Sequence, residues 1–126
     1  MCKMKHPEAF LQQQFAHWLD AKGLLSTASL AGVNLHPAVA RMRKIMGCKA
    51  GTPDIMIFEP RGKYHGLFIE LKSKSGNVKD HKQLLWKEEL NKRGYFSVIM
   101  PKGLDWPDNL NWLQDLVEKY ISSHAF

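Results

Sequence analysis

The residues of this chain best suited to chemistry are Asp54, Glu70 and Lys72, which lie in GTPDIMIFEPRGKYHGLFIELKSK, from Gly51 to Lys74. Two short apolar runs, Asp54 to Glu59 and Gly66 to Leu71, flank the turn-like PRGKYHG, so the stretch reads as a β-hairpin. Antiparallel pairing lays the start of the first run beside the end of the second, which draws Asp54 toward Glu70 and Lys72. Glu70 and Lys72 are two positions apart and share a face, while Leu71 points the other way and leaves its carbonyl near the cluster. Two carboxylates brought together away from water repel, and one takes up a proton unless a cation neutralises them. Mg²⁺ or Mn²⁺, with their preference for hard oxygen ligands, would meet that need. Such an ion keeps several waters, one able to act as a nucleophile, and polarises a phosphate oxygen of a substrate. Lys72 would then orient or deprotonate that water and offset developing charge. The same residues also allow a plain ion pair of Glu70 with Lys72, with Asp54 capping the turn after Pro53, since an isolated ExK tripeptide is common. The sequence GTPD, an apolar strand, a hairpin and then FIELK is a much more specific combination.

The elements that hold these residues follow from spacing. Pro7 to Lys22 is predicted helical: Leu11, Phe15, Trp18 and Leu19 recur at helical intervals, Pro7 suits the first turn and Gly23 the stop. Glu8 lies on that stripe and is expected to point inward, although an acid in a first turn also complements the helix dipole. Leu24 to Leu35 turns to Ser, Thr, Ala, Gly and Asn, the composition of an irregular or short-strand connection. Pro37 opens a second helix, PAVARMRKIMG, closed by Gly47; Arg41, Arg43 and Lys44 occupy its polar positions, facing either solvent or phosphates. Lys79 to Arg93 is predicted helical, with Asp80 in its first turn, Gly94 as its stop and a register marked by Leu84, Leu85, Glu88 and Leu90. YFSVIM, Tyr95 to Met100, reads as a strand ended by Pro101, and Pro107 to about Ser122 as a helix carrying Leu110, Leu113, Leu116, Val117 and Tyr120 inward. The order α-α-β-β-α-β-α predicts an α/β domain with a mixed sheet flanked by helices, without repeats or linkers.

Composition bounds the partners. A chain of 126 residues with 44% hydrophobic content suits one domain with one core. Lys and Arg outnumber Asp and Glu by 18 to 12, a formal charge of +6, which favours a polyanionic partner, although a merely soluble basic surface has the same composition. MCKMKHPEAF lacks the apolar stretch of a signal peptide, and no run approaches the ~20 residues of a membrane span, so a soluble, cytoplasmic protein is expected. Cys2 and Cys48 form no CxxC and are expected to be reduced; six scattered histidines without HxxxH or HxH argue against a zinc cluster.

Taken together, GTPD, IELK and the later Gln83 resemble the PD-(D/E)XK nuclease superfamily, and within it the VRR-NUC branch. That branch shows a helix with a Glu, then GxPD, ExK and a Gln opening the next helix. The resemblance runs from about Glu8 to Tyr120 and implies a restriction-endonuclease-like fold, a divalent metal (Mg²⁺ or Mn²⁺) and phosphodiester hydrolysis. By that likeness Asp54, Glu70, the Leu71 carbonyl and Glu8 are the metal-site positions, Lys72 the catalytic lysine and Gln83 the polar residue beside them. Asn34 matches an Asn before the second helix, although GVNLHPAVARM departs from the usual surroundings, and Lys79 stands where a capping Ser is expected. Asn34, Arg41, Arg43, Lys44 and Lys74 are the candidate nucleic-acid contacts. Stand-alone members of the branch resemble Holliday-junction resolvases, which implies branched DNA as substrate and a homodimer with two sites. The alternatives are a non-catalytic nucleic-acid-binding module, whose mark would be a lost site residue, or an accessory subunit of a replication or recombination complex. Trp86, Trp106 and Trp112 would offer the latter a surface, unless they are core.

Overall fold

The computed structural model describes residues 7–29, 35–72 and 81–122. Asn34, Lys74, Lys79 and Asp80 lie outside the described residues. In chain order the elements are α1 (Pro7–Ala21), β1 (Ser26–Ala28), α2 (Pro37–Ile45), β2 (Ile55–Ile57), β3 (Leu67–Glu70), α3 (His81–Lys92), β4 (Phe96–Ile99) and α4 (Asp108–Ser122). The Ser- and Thr-containing stretch after Leu24 thus contributes a three-residue strand, and the remaining order is as the spacing predicts.

The strands form one sheet in the order β1-β2-β3-β4. β2 and β3 make the expected antiparallel hairpin, with Ile55 opposite Ile69 and Ile57 opposite Leu67. β1 adds antiparallel to β2, and β4 joins β3 in parallel after the α3 crossover. Side chains alternate across such a sheet, so Ile55, Ile57, Leu67 and Ile69 share one face and Met56 and Phe68 the other.

On the first face, α1 supplies Leu11, Phe15 and Leu19, and α4 supplies Leu113, Val117 and Tyr120, all buried with the strand residues and Met100. Each such side chain contributes about 1.5–3 kcal/mol through removal from water. Two polar ties fix α4 against the hairpin turn: Tyr120 Oη donates to the Glu59 carbonyl at 2.8 Å, and Arg61 Nε donates to the Ile121 carbonyl at 3.2 Å. Of the tryptophans in question, Trp112 packs partly against this core, while Trp106 stays 42% exposed with its ring edge-on to Phe10.

The second face is covered by α3, and here the expected register is corrected. Leu84 and Leu85 are exposed; Gln83, Trp86 and Leu90 are the side chains turned toward the sheet, and only Leu90 is buried. Positions 83, 86 and 90 are themselves at helical spacing, but the first lies against a polar cluster, so the inward stripe does not begin with an apolar residue. Near the end of α3, Asn91 locks the helix to β4, with Ser97 N–H donating to Asn91 Oδ1 at 3.0 Å.

α2 is set by its ends rather than by the core. His36 Nδ1 accepts from Ala38 N–H at 3.1 Å, Pro37 opens the first turn, and the Cys48 and Gly47 amides return to the Arg43 and Lys44 carbonyls. None of its residues is buried, and Val39, Met42 and Ile45 are exposed. Among the described residues no helix is long and apolar enough to cross a membrane.

Candidate active site at the sheet end

One step beyond the Ile55–Ile69 pair, the β2–β3 register sets Asp54 across from Glu70. Backbone contacts fix both positions. Ser29 N–H donates to the Asp54 carbonyl at 2.9 Å and Ser29 Oγ to the Pro53 carbonyl at 2.7 Å, so β1 steadies the approach to β2. The Glu70 carbonyl accepts from Met100 N–H at 2.8 Å, which ties the end of β3 to the end of β4. The loop before Asp54 is seated on α3. Trp86 Nε1 donates to the Ala50 carbonyl at 3.2 Å, and Gly51, at φ +90°, passes so close to Lys82 that a Cβ would stand 2.7 Å from its carbonyl carbon.

The side chains then converge. Glu70 and Lys72 are each only 7% exposed. Gln83 reaches both from α3: its Nε2 donates to Glu70 Oε1 at 2.6 Å, and its Oε1 accepts from Lys72 Nζ. Leu71 turns its side chain into the core and its N–H outward, donating to Asp54 Oδ2 at 2.8 Å. Burial pushes the Asp54 carboxyl above the ordinary aspartate range; the Leu71 N–H, the hydrogen-bonding Glu70 carboxyl and the Lys72 charge pull back, while the charge of Glu8 adds to the rise. Paired, desolvated carboxylates of this kind are hard oxygen donors with a strong claim on a cation, so Asp54 and Glu70 are the residues able to hold a divalent metal.

The structure therefore brings Asp54, Glu70, the Leu71 N–H, Lys72 and Gln83 together. Glu8 differs from the inward placement expected of it. It is exposed, one turn before the first buried residue of α1, and acts on Asp54 through its charge. Among the described residues no group of three or more His, Cys, Asp or Glu side chains is arranged around one point. Arg43 and Lys44 line a groove beside the cluster, whereas Arg41 is exposed on α2 outside that lining. Sequence reasoning missed Ser29, whose neighbourhood has no periodic signal, and the groove residues Lys49 and Lys82, which only the close approach at Gly51 brings together.

Fold and site define a small α/β domain with paired carboxylates, a lysine and a bridging glutamine at one end of a mixed sheet. Residues 2–101 match the VRR-NUC domain, and the chain belongs to this nuclease family. A solved VRR-NUC domain protein is 27% identical, with 97% of this chain and 92% of that one covered at a TM-score of 0.70. A second solved VRR-NUC domain, 22% identical over 90% of this chain and 97% of that one with a TM-score of 0.57, shares the fold. No curated protein matches the chain.

Proposed function

We propose that this protein is a divalent-metal-dependent endonuclease that hydrolyses DNA phosphodiester bonds, acting on branched DNA as a homodimer. The observation that carries the reading is the convergence of Asp54, Glu70 and Lys72 around Gln83 at the sheet end. Asp54 and Glu70 would hold Mg²⁺ or Mn²⁺, with the Leu71 carbonyl beside them and Glu8 adding negative charge from the outside. When bound, the ion supplies positive charge at the phosphate and a water of lowered pKa. The protein's own residues do the rest. Gln83 holds the Lys72 ammonium in place, and from there Lys72 orients the attacking water and offsets charge on the phosphate in the transition state. Leu71 N–H fixes the rotamer of Asp54, so that its second oxygen is presented in one direction. The excess of basic residues favours phosphate contacts that position a strand without reading its sequence. Branched substrates and a two-site dimer are supported by likeness to stand-alone family members.

The test is cleavage by the purified protein, with Mg²⁺ or Mn²⁺, of a panel of junction, flap, nicked and linear DNAs. Lys72→Ala should lower the rate by about 10²–10⁴-fold while metal-free DNA binding persists, and Glu70→Ala should abolish cleavage. Retained cleavage in Lys72→Ala would remove Lys72 from the mechanism. A wild-type protein that binds but cuts none of the panel would favour a binding or accessory role.

A further inference from the structure

A groove of about 1010 Å³ runs between α2, α3 and the second face of the sheet, and Thr52 and Pro53 on its wall place its end directly before Asp54. Its floor is apolar, made by Met56 and Phe68, with the half-buried Trp86 as one side. Around this floor stand Arg43, Lys44, Lys49 and Lys82, and among the described residues no Asp or Glu lines it. No side chain of α2 is buried, so this helix does not fill the floor it faces.

Those two chemistries together limit the occupant. A duplex keeps its bases stacked inside and offers phosphates, for which cations on a polar surface suffice. An apolar floor ringed by cations suits a ligand that carries anionic groups and flat apolar faces on the same chain, which is what unpaired nucleotides present. We propose that this groove binds a single-stranded segment of the DNA substrate, with bases on Trp86 and Met56 and phosphates at the surrounding cations. The nuclease would thereby select DNA with an unpaired flank beside the bond to be cut. The placing of the cut rests on the nuclease reading; the binding does not.

The experiment is an anisotropy titration of the intact protein in EDTA with a labelled thymidine oligomer, an abasic oligomer of the same length and a duplex of that length at one salt concentration. The thymidine oligomer should bind at least about tenfold more tightly than the abasic one, because stacking contributes ~1–3 kcal/mol per base. It should also bind more tightly than the duplex. Changing the exposed Lys44 and Lys49 together to Glu should weaken thymidine-oligomer binding about tenfold or more without threatening the fold. Trp86→Leu should shrink the ratio between thymidine and abasic oligomers, and should that variant not fold, the wild-type ratio decides alone. Equal binding of the two oligomers, or duplex bound as tightly as single strand, overturns the proposal. Strand binding without cleavage of any DNA would sink the nuclease reading and leave the groove; cleavage with no preference for bases in a single strand would do the reverse.

Discussion

At Asp54, burial and hydrogen bonding oppose one another, and this gives the residue a measurable pH signature. Its carboxyl is pushed upward, first by desolvation, so the metal-free folded chain holds that proton more tightly than the unfolded chain. The stability this contributes is complete below the unfolded value of about 4 and is lost as pH rises through the higher folded value. Asp54→Asn keeps an oxygen to accept from Leu71 N–H but removes the charge. Thermal melts in EDTA across pH 4 to 8 should show a flatter pH dependence for the variant and a higher midpoint than wild type at the alkaline end. Added Mg²⁺ should raise the wild-type midpoint by an amount growing with concentration, equivalent to about 2.7 kcal/mol at a hundred times Kd, and leave the variant unmoved. Identical melts for the two proteins would deny Asp54 its part in the site. This carboxylate was legible in the sequence because a strand has period two and a hairpin reverses it, which together fix Asp54 against Glu70. Glu8 was not, because an apolar stripe extrapolated by one turn does not reveal where the core beneath it ends.

Among the elements, the contact between the loop at residues 47–52 and α3 seats the approach to Asp54, one residue before β2. Gly51→Ala meets two costs there, a positive φ and a methyl group 2.7 Å from the backbone of Lys82. It should destabilise the fold by about 1–3 kcal/mol and lower cleavage as the loop shifts. Gly23→Ala is the comparison, since its φ of +74° is also positive but nothing lies within 4 Å. It should lower the melting temperature less and leave cleavage intact, and equal losses in the two variants would show that contact with α3 is immaterial. Elements with clean periodicity, α1 and α4, were readable with their buried faces. α3 was readable as a helix but not in its orientation, because the side chain it sends to the site is polar and two exposed leucines imitate an inward stripe. The three-residue β1 is too short to carry any period, and Ser29, on which the backbone at Asp54 depends, follows it directly.

At the scale of the molecule, the groove cations Arg43, Lys44, Lys49 and Lys82 lie on the side of the sheet that holds Asp54, Glu70 and Lys72, while the opposite side carries the main core. α4 belongs wholly to that packing side, and it begins after the stretch that matches the family, which ends at residue 101. Its Leu113 and Val117 have no solvent exposure, and Tyr120 is equally enclosed and bonded to the hairpin turn. Baring three such side chains would cost about 1.5–3 kcal/mol apiece, a sum comparable with the ~5–15 kcal/mol that holds a typical domain folded. A chain stopped at residue 101 should therefore aggregate or stay unfolded by circular dichroism, whereas a cooperative melt from that fragment would refute the estimate. The border of the matched family stretch is not the border of the cooperative unit: the last helix acts as a keel that keeps the sheet upright, and the likeness to the solved VRR-NUC domain protein, over 97% of this chain, reaches past that border.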